Sequence, residues 1–440
     1  MKRVLVISYY WPPCGGSGVQ RWVKFSKYLP ALGWQPVVYT PSNPDIQSAD
    51  YSMEQDIPKE VEVVKRPITE LYSLYRRFAG KSASSAQVNM VNAQDKNWKQ
   101  RLAMKIRGRF FIPDPRVSWV KPSVKFLKEY LREHPVDAIV STGPPHSMHL
   151  IARKVSLATG IPWIADFRDP WTRIFYFKHL MLSARAVRKH VKLEKEVLDG
   201  ATTIVAVSPL VQEEFRTMTS TPVELITNGF DPDDFTGGPV EDGFFNLTHT
   251  GQFAADGNPL KLWEALAEKC AADKEFASRM RIRLAGKTDI QIIEAIKAAG
   301  LEQNLIDLGY VNHESAVREQ LGASVLLLPL RQEPEYRATL PGKLFEYLGA
   351  RRPILGIGQT DGAMATVVAD AGAGFTAGWE DKASMADFIN KAWDAFLHDR
   401  CRLDGEENLF PGGNINKYSR IETAKAMAAL LDSITGQIEA

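Results

Sequence analysis

Short apolar segments alternate with amphipathic segments along the first half of the chain. The apolar segments are three to five residues long, whereas Gln20–Leu32 and Met148–Thr159 have the apolar spacing of helices. Because strands buried on both faces are continuously apolar, this alternation predicts a parallel sheet covered by helices. The predicted strands are Val4–Ser8, Pro36–Tyr39, Glu62–Lys65, Ala138–Ser141, Trp163–Ala165 and Thr203–Val207.

A second series of the same kind occupies the rest of the chain. Its predicted helices include Leu260–Ala272, Asp289–Ala299 and Gly342–Ala350. Two such series in one chain predict an α/β protein with two doubly wound domains. The predicted strands are Phe245–Thr250, Arg281–Ala285, Leu305–Leu308, Ser324–Leu328, Pro353–Gly356 and Gly374–Thr376.

A turn-rich segment at residues 228–239 separates the two series. We therefore expect an N-terminal domain over residues 1–225 and a C-terminal domain over residues 240–412. A last helix, within residues 413–440, follows a Pro-Gly-Gly-Asn break and is expected to cross back onto the N-terminal domain.

Residues 79–118 interrupt the first series with a basic insertion. Apolar residues recur there every four positions, at Trp98, Leu102, Ile106 and Phe110. A helix with this stripe between cations has the pattern of an interfacial helix attracted to anionic lipid. A helical insertion packed on its own domain, with a solvated basic face, has the same pattern, and both interpretations stay open. The cations of residues 96–110 are Lys96, Lys99, Arg101, Lys105, Arg107 and Arg109.

Composition narrows the class of protein. The 440 residues suit two domains, and a formal net charge of +2 gives no global case for binding nucleic acid. Cys14, Cys270 and Cys401 lie far apart, which argues against a disulfide framework or a zinc site. The chain begins directly with a predicted strand and has no apolar run of eighteen residues, so we expect no signal peptide and no transmembrane helix. The expected location is cytoplasmic, with peripheral contact to the inner face of the membrane as an open alternative.

A glycine-containing loop links the first strand to the first helix. Gly15, Gly16 and Gly18 precede a helix start, where backbone N–H groups can approach a diphosphate. A dinucleotide fingerprint needs a further glycine where Arg21 stands, and an acidic residue after the second strand, where Tyr39-Thr40-Pro41 is found. The loop therefore argues against a nicotinamide cofactor. A turn that needs glycine only for its geometry remains the alternative.

Polar residues follow two central strands of the first series, at the sheet edge where open α/β sheets bind ligands. His146 can donate or accept a proton near a sugar hydroxyl or a phosphate, or can simply cap or pack against a helix. Asp166 can accept a proton from, or orient, an attacking hydroxyl, and Arg168 can hold a phosphate bidentately. With Asp169 these residues form a charged cluster, for which an internal ion pair is the alternative.

The start of the predicted helix at Gly342 carries the strongest signal. Lys343 lies in the first turn, where an ammonium and the helix N–H groups together attract a diphosphate. Glu346 lies one turn further on the same face and can accept hydrogen bonds from two ribose hydroxyls. A simple salt bridge between Lys343 and Glu346 is the alternative.

In this order the motifs resemble those of the family-4 retaining glycosyltransferases of the GT-B fold, in which two Rossmann-like domains face each other across the active-site cleft. The likeness runs over nearly the whole chain, and the Asp166–Trp171 segment is similar to one in a bacterial subgroup for surface-polysaccharide assembly. The remaining matching features are Gly15-Gly16, Val207-Ser208, Asn228-Gly229-Phe230-Asp231, Thr250-Gly251 and Pro341–Tyr347.

The resemblance implies a hexosyl-type transferase. It would move a sugar from a nucleotide-diphosphate sugar, most commonly a UDP sugar, to a glycan or polyprenyl-linked acceptor, with retention and front-face attack assisted by the leaving phosphate. No metal and no other cofactor are implied. The Gly15–Gly18 loop would close over the donor phosphates, Lys343 would bind the diphosphate, Glu346 the ribose, and Leu340 would lie beside the donor.

Two departures from the family pattern concern the donor. Ala338 stands where the family commonly has a glutamate that contacts the donor sugar. Gly251-Gln252 replaces a usual Gly-Arg or Gly-Ser, with Lys261 or Lys287 as the candidate second phosphate cation. Two other functions therefore stay open, a sugar-nucleotide epimerase of the same fold and a catalytically degenerate scaffold that binds nucleotide sugars.

Overall fold

The chain forms two units in the computed structural model. The first comprises Met1–Thr227 and Ala424–Ala440, and the second comprises Asn228–Thr423. The predicted basic stripe at residues 96–110 lies outside the described residues. The structure describes residues 1–46, 49–69, 111–174, 177–180, 182–240, 242–403, 409–410 and 412–436.

A seven-stranded parallel sheet forms the centre of the first unit, in the order β3-β2-β1-β4-β5-β6-β7. The winding direction reverses between β1 and β4, as in doubly wound folds. The strands are β1 (Lys2–Ile7), β2 (Trp34–Pro41), β3 (Glu62–Arg66), β4 (Ala138–Gly143), β5 (Trp163–Phe167), β6 (Thr203–Ala206) and β7 (Val223–Leu225).

Helices cover this sheet on both faces. On one face, α1 and α13 share an apolar core in which Trp22 packs with Met427 and Leu431. On the other face, α2 lies over β2, where the Phe126 and Tyr39 rings stack, and α3 packs beside α2. The helices of this unit are α1 (Ser17–Tyr28), α2 (Val120–Glu133), α3 (Ser147–Thr159), α4 (Ala184–Gly200), α5 (Pro209–Met218) and, at the end of the chain, α13 (Arg420–Gly436).

The second unit has a six-stranded parallel sheet in the order β10-β9-β8-β11-β12-β13. Its winding direction reverses between β8 and β11. Its strands are β8 (Phe245–Thr250), β9 (Met280–Ala285), β10 (Leu305–Gly309), β11 (Val325–Pro329), β12 (Ile354–Ile357) and β13 (Gly374–Ala377). Its helices are α6 (Leu260–Ala272), α7 (Lys274–Arg279), α8 (Ile290–Ala298), α9 (His313–Leu321), α10 (Gly342–Ala350), α11 (Ala363–Asp370) and α12 (Lys382–Leu397).

The two doubly wound sheets confirm the predicted fold class, with local differences. Strand β7 was not predicted, because its three residues are too short to stand out as an apolar run. Strand β5 extends two residues beyond its predicted end, so Asp166 belongs to the strand rather than to the loop after it. None of the helices among the described residues is long and apolar enough to cross a membrane.

The C-terminal stretch is divided between the units. Residues up to Thr423 group with the second unit, whereas the prediction placed all of residues 413–440 on the N-terminal domain. Backbone hydrogen bonds explain the difference, because Phe230 N–H donates to Tyr418 O and Arg420 N–H donates to Phe230 O, at 3.0 and 2.7 Å.

Candidate functional site

Polar residues gather at the carboxyl ends of β8 and β11, the two strands between which the second sheet reverses its winding. Open α/β sheets bind their ligands at such a switch point. Gly251 and Gln252 follow β8, and α10 begins with Gly342 and Lys343 after the loop that follows β11. The structure therefore brings these predicted donor-binding residues to one place within the second unit.

Two glycines let the loops of this site approach each other closely. Gly251 has a φ of +86°, and a Cβ atom there would lie 2.7 Å from Lys343 Cε. Gly286 has a φ of +149°, and a Cβ atom there would overlap the carbonyl oxygen of Gly251. Side chains at either position would be strained and would displace the loop or the lysine.

The Lys343 ammonium lies over this glycine loop. Its Nζ donates to Gln252 O at 2.8 Å and lies 3.2 Å from His249 Nε2. Burial lowers the pKa of Lys343 to about 8, while the Glu346 carboxylate acts in the opposite direction. The amine is thus a cation at neutral pH with an incompletely neutralised charge, next to the N-terminus of α10.

His249 contacts the Lys343 ammonium and was not identified as a site residue from the sequence. Its Nδ1 lies 2.9 Å from Leu327 O, and because a carbonyl can only accept, Nδ1 carries the proton. Burial lowers the pKa of His249 to about 3, with the Lys343 charge adding to the shift. The neutral ring therefore presents Nε2 to the Lys343 ammonium as an acceptor.

A second polar network fixes Glu346. Gln320 Nε2 donates to Glu346 Oε2 at 3.1 Å and to Thr250 Oγ1 at 3.0 Å. Tyr347 Oη accepts from the Thr250 N–H at 3.0 Å, which ties the end of β8 to α10. Glu346 does not pair with Lys343 in the hydrogen bonds described, so its carboxylate is held by Gln320 on one oxygen. A carboxylate placed in this way can accept hydrogen bonds from ligand hydroxyls.

The other three predicted donor residues lie in different surroundings. Lys287 is exposed on the loop beside Gly286, and its carbonyl oxygen accepts from Phe253 N–H at 3.0 Å. Leu340 packs on the apolar cluster beneath α10. Lys261 is partly exposed on α6 and donates to both Glu264 oxygens at 2.9 and 3.0 Å, so the described contacts do not join it to Lys343.

The corresponding edge of the first unit contains the predicted glycine loop. Gly16 has a φ of +100° and open space where a Cβ would be, whereas a Cβ at Gly18 would overlap the Arg168 guanidinium. Gly15, which precedes both of these glycines, is half-buried. The absence of a side chain at Gly18 thus leaves room for the Arg168 guanidinium. The closure of this loop over the donor phosphates stays a prediction.

Asp166 forms a fully buried ion pair with Arg21. Arg21 Nη2 lies 2.9 Å from Asp166 Oδ1, and the same carboxylate accepts from Trp22 Nε1 at 2.8 Å and Thr142 Oγ1 at 3.0 Å. Burial alone would raise the pKa of the Asp166 carboxyl, but the Arg21 guanidinium and these hydrogen bonds hold it below its usual value. This geometry supports the internal ion pair that the sequence analysis left open. Neither carboxylate oxygen of Asp166 is exposed, so neither is accessible to accept a proton from a substrate hydroxyl.

His146 and Arg168 lie at the surface end of the same edge. The His146 ring stacks on Trp171, with centroids 4.6 Å apart and planes 2° apart, and burial lowers its pKa well below 6.5. Within the described part of the chain, its buried Nδ1 has no hydrogen-bond partner. Arg168 donates to Pro144 O, and burial raises the pKa of the half-buried Asp169, against the opposing charge of Arg168.

The loop after β5 is supported by α4, which the sequence analysis did not connect with it. Trp171 Nε1 donates to His190 Nδ1 at 3.0 Å, and Glu194 accepts from the backbone N–H groups of Trp171 and Thr172, both at 3.2 Å. The sequence signal that could have revealed this contact is the pair His190 and Glu194, polar residues one turn apart on the buried face of α4. Among the described residues, no group of three His, Cys, Asp or Glu side chains could hold a metal ion.

One protein-family model matches part of the chain. Residues 92–234 match the model of the family described as Glycosyltransferase Family 4. The match covers about a third of the chain. No curated protein matches the chain.

Solved structures agree on the architecture. Sucrose-phosphate synthase from Thermosynechococcus elongatus is 13% identical with a TM-score of 0.54, and covers 100% of this chain and 98% of its own. WaaG, a glycosyltransferase involved in lipopolysaccharide biosynthesis, is 15% identical with a TM-score of 0.51, and covers 98% of this chain and 100% of its own. An alpha,alpha-trehalose-phosphate synthase (UDP-forming) from Burkholderia vietnamiensis is 13% identical with a TM-score of 0.58 (100% and 99%). The fold is GT-B, and with the family match it makes the chain a glycosyltransferase of the GT-B type.

Proposed function

We propose that this glycosyltransferase moves a hexosyl-type sugar from a nucleotide-diphosphate sugar to a glycan or polyprenyl-linked acceptor, with retention of configuration, in the synthesis of a surface polysaccharide or glycoconjugate. UDP is the proposed nucleotide, which agrees with the UDP-forming synthase among the structures of this fold. The proposed reaction uses no metal and no other cofactor.

The observation that carries the proposal is the arrangement of Lys343 and Glu346 at the start of α10. A diphosphate placed at the helix N-terminus would meet the Lys343 ammonium, which lacks a carboxylate partner among the described ion pairs. A ribose one helical turn further along would meet the Glu346 carboxylate. When the bond between the anomeric carbon and the phosphate oxygen breaks, negative charge develops on the diphosphate, and Lys343 stabilises it.

The acceptor side is assigned to the first unit. His146 is neutral and has an unpartnered buried nitrogen, so it suits a hydrogen bond to a sugar hydroxyl. Arg168 suits a phosphate-bearing acceptor. In this proposal the acceptor hydroxyl forms the new bond to the anomeric carbon on the face that the diphosphate leaves, and its proton passes to the leaving phosphate.

The test is binding of nucleoside diphosphates and their sugars without metal, measured by calorimetry. We expect UDP to bind, Lys343→Met to weaken binding by at least tenfold, and Lys261→Met to change it by less than twofold, because Lys261 is already paired with Glu264. Equal effects of the two substitutions would remove Lys343 from the site. The absence of binding by any nucleoside diphosphate would refute the proposal.

A binding scaffold without catalysis is the second candidate, and Ala338 favours it. This residue ends the short helix Pro334–Ala338 and supplies no carboxylate for a donor sugar. Incubation of the UDP sugar with lipid-linked and glycan acceptors, followed by mass spectrometry, separates the candidates. A glycosylated product supports the transferase, whereas tight binding without any product, and without epimerised sugar, supports the scaffold.

A further inference from the structure

The two units carry opposite charges, which the net charge of the chain conceals. The first unit contains 34 Lys and Arg against 22 Asp and Glu, a formal net charge of +12. The second contains 20 against 30, a formal net charge of −10. Long-range attraction of anions is therefore stronger at the first unit.

Four cations of this unit lie along one face of α2. Lys121, Lys125, Lys128 and Arg132 follow at intervals of four, three and four residues, so they share one face of the helix. All four are exposed, while the opposite face of α2 is buried against the sheet. The cations thus form a stripe that points away from the unit.

The neighbouring helix α3 completes a basic groove. Lys154 and the four α2 cations line the groove, whose single acidic lining residue is Glu129. None of the five cations has a carboxylate within 4 Å in the described part of the chain, whereas lysines elsewhere, such as Lys24 and Lys195, are paired with aspartates. These charges are therefore available to an external partner.

Exposed apolar side chains stand on the same helical layer. Leu157, one turn beyond Lys154 on α3, is 71% exposed, and Val191 on the adjacent α4 is 48% exposed. The exposed face of α4 also carries Arg188 and Lys192. Cations together with protruding aliphatic side chains suit a bilayer surface, which offers anionic headgroups and an apolar layer beneath them. A soluble polyanion would use the cations but not Leu157.

We propose that the outer face of α2 and α3, defined by Lys121, Lys125, Lys128, Arg132 and Lys154, binds the headgroup surface of an anionic phospholipid bilayer, with Leu157 entering the interface. This docking surface lies on the helical layer, whereas the acceptor-side residues lie at the carboxyl edge of the sheet. The proposal does not depend on the proposed glycosyl transfer. It also involves other residues than the predicted basic stripe at residues 96–110.

The experiment is co-sedimentation of the full chain with vesicles of phosphatidylcholine, with and without 30% phosphatidylglycerol. Because each cation near an anionic surface contributes roughly fivefold to binding, Lys121→Gln/Lys125→Gln/Lys128→Gln should lower the partition coefficient about 100-fold. The matched control is Lys59→Gln/Lys274→Gln/Lys391→Gln, three exposed lysines that are not part of this surface, with the same change in net charge. We expect the control to bind within about threefold of the wild type.

A second substitution distinguishes a bilayer from a soluble polyanion. Leu157→Ser should weaken vesicle binding several-fold and leave the binding of inorganic polyphosphate unchanged. The proposal is overturned if the wild type ignores anionic vesicles, or if the α2 triple variant binds them as its control does. It is also overturned if the triple variant loses vesicle and polyphosphate binding equally while Leu157→Ser affects neither, which would identify a polyanion site.

Discussion

Asp166→Asn would remove one charge from the centre of the first unit while keeping the shape of the side chain. The carboxylate and the Arg21 guanidinium are both fully buried, and the pair joins the end of β5 to α1. Arg21 also donates to the carbonyl oxygens of Ile226 and Thr227, each at 2.9 Å. After the substitution these two backbone acceptors and a neutral amide would face a buried cation.

The expected loss in the free energy of unfolding is about 3 kcal/mol. Breaking a buried ion pair by removing one partner costs about 3–5 kcal/mol, and the two carbonyl dipoles that remain on Arg21 favour the lower end. For a unit of this size, a loss of about 3 kcal/mol corresponds to roughly 6–12 °C in the melting temperature. Because the folded-state pKa of Asp166 lies below its unfolded value, this contribution is present at neutral pH and is lost as the pH falls through the folded pKa.

Asp169→Asn is the matched control, since it removes the same charge three residues further on. Burial raises the pKa of Asp169 in the folded protein, so the fold disfavours its charged form, and the amide should be neutral or slightly stabilising. Calorimetry of the whole chain gives the melting temperatures. Amide hydrogen exchange assigns the loss to peptides of α1 and β5, with peptides of the second unit as an internal reference.

Equal melting temperatures for the two variants would refute the reasoning, because they would mean that the Arg21 pair contributes no more than a half-buried carboxylate. Faster exchange spread evenly over both units would refute it as well. Either result would return Asp166 to the set of residues available for catalysis.

Three further predictions concern the candidate site and its loops. As the pH rises from 7 to 9, Lys343 loses its proton, because its pKa is about 8. The UDP affinity measured by calorimetry should therefore fall up to about tenfold. A similar fall in the Lys343→Met variant would assign the effect to another group. Gly18→Ala should displace the Arg168 guanidinium and lower transfer to the acceptor while UDP affinity stays within about twofold; unchanged transfer would contradict this. Gly286→Ala should force the Gly251 loop apart and weaken UDP binding at least tenfold, with a crystal structure showing whether the loop moves.

The sequence predicted the elements well, because each depends on local pattern. Strand β8 was located with both ends correct, and the helix start at Gly342 followed from the proline before it. The same local signal located Lys343 and Glu346. The predicted phosphate contact of Lys261, which came from the family pattern, stays a prediction; in the structure Lys261 pairs with Glu264 one turn further along the same helix.

Contacts between distant segments could not be predicted in this way. Arg21 stands where a dinucleotide fingerprint needs glycine, and the sequence showed only that the motif is broken. Its partner Asp166 lies 145 positions further along and meets it because β5, which contains Asp166, is only one strand away from β1, which leads into α1. His249 was likewise missed, since a single histidine in a predicted strand gives no sign that its ring will contact the Lys343 ammonium.

Helix α13 has a consequence for the synthesis of the protein. Met427 and Leu431 complete a core that Trp22 and the rest of the first unit supply, yet all 196 residues of the second unit are translated before them. At about 5–20 residues per second, the ribosome needs roughly 10–40 s to cover that distance. During this interval the nascent first unit exposes the apolar surface that α13 will cover, and a chaperone that shields apolar surface has time to bind there. A nonsense mutation near the end of the gene would therefore make that exposure permanent, although it would leave every residue of the candidate site intact.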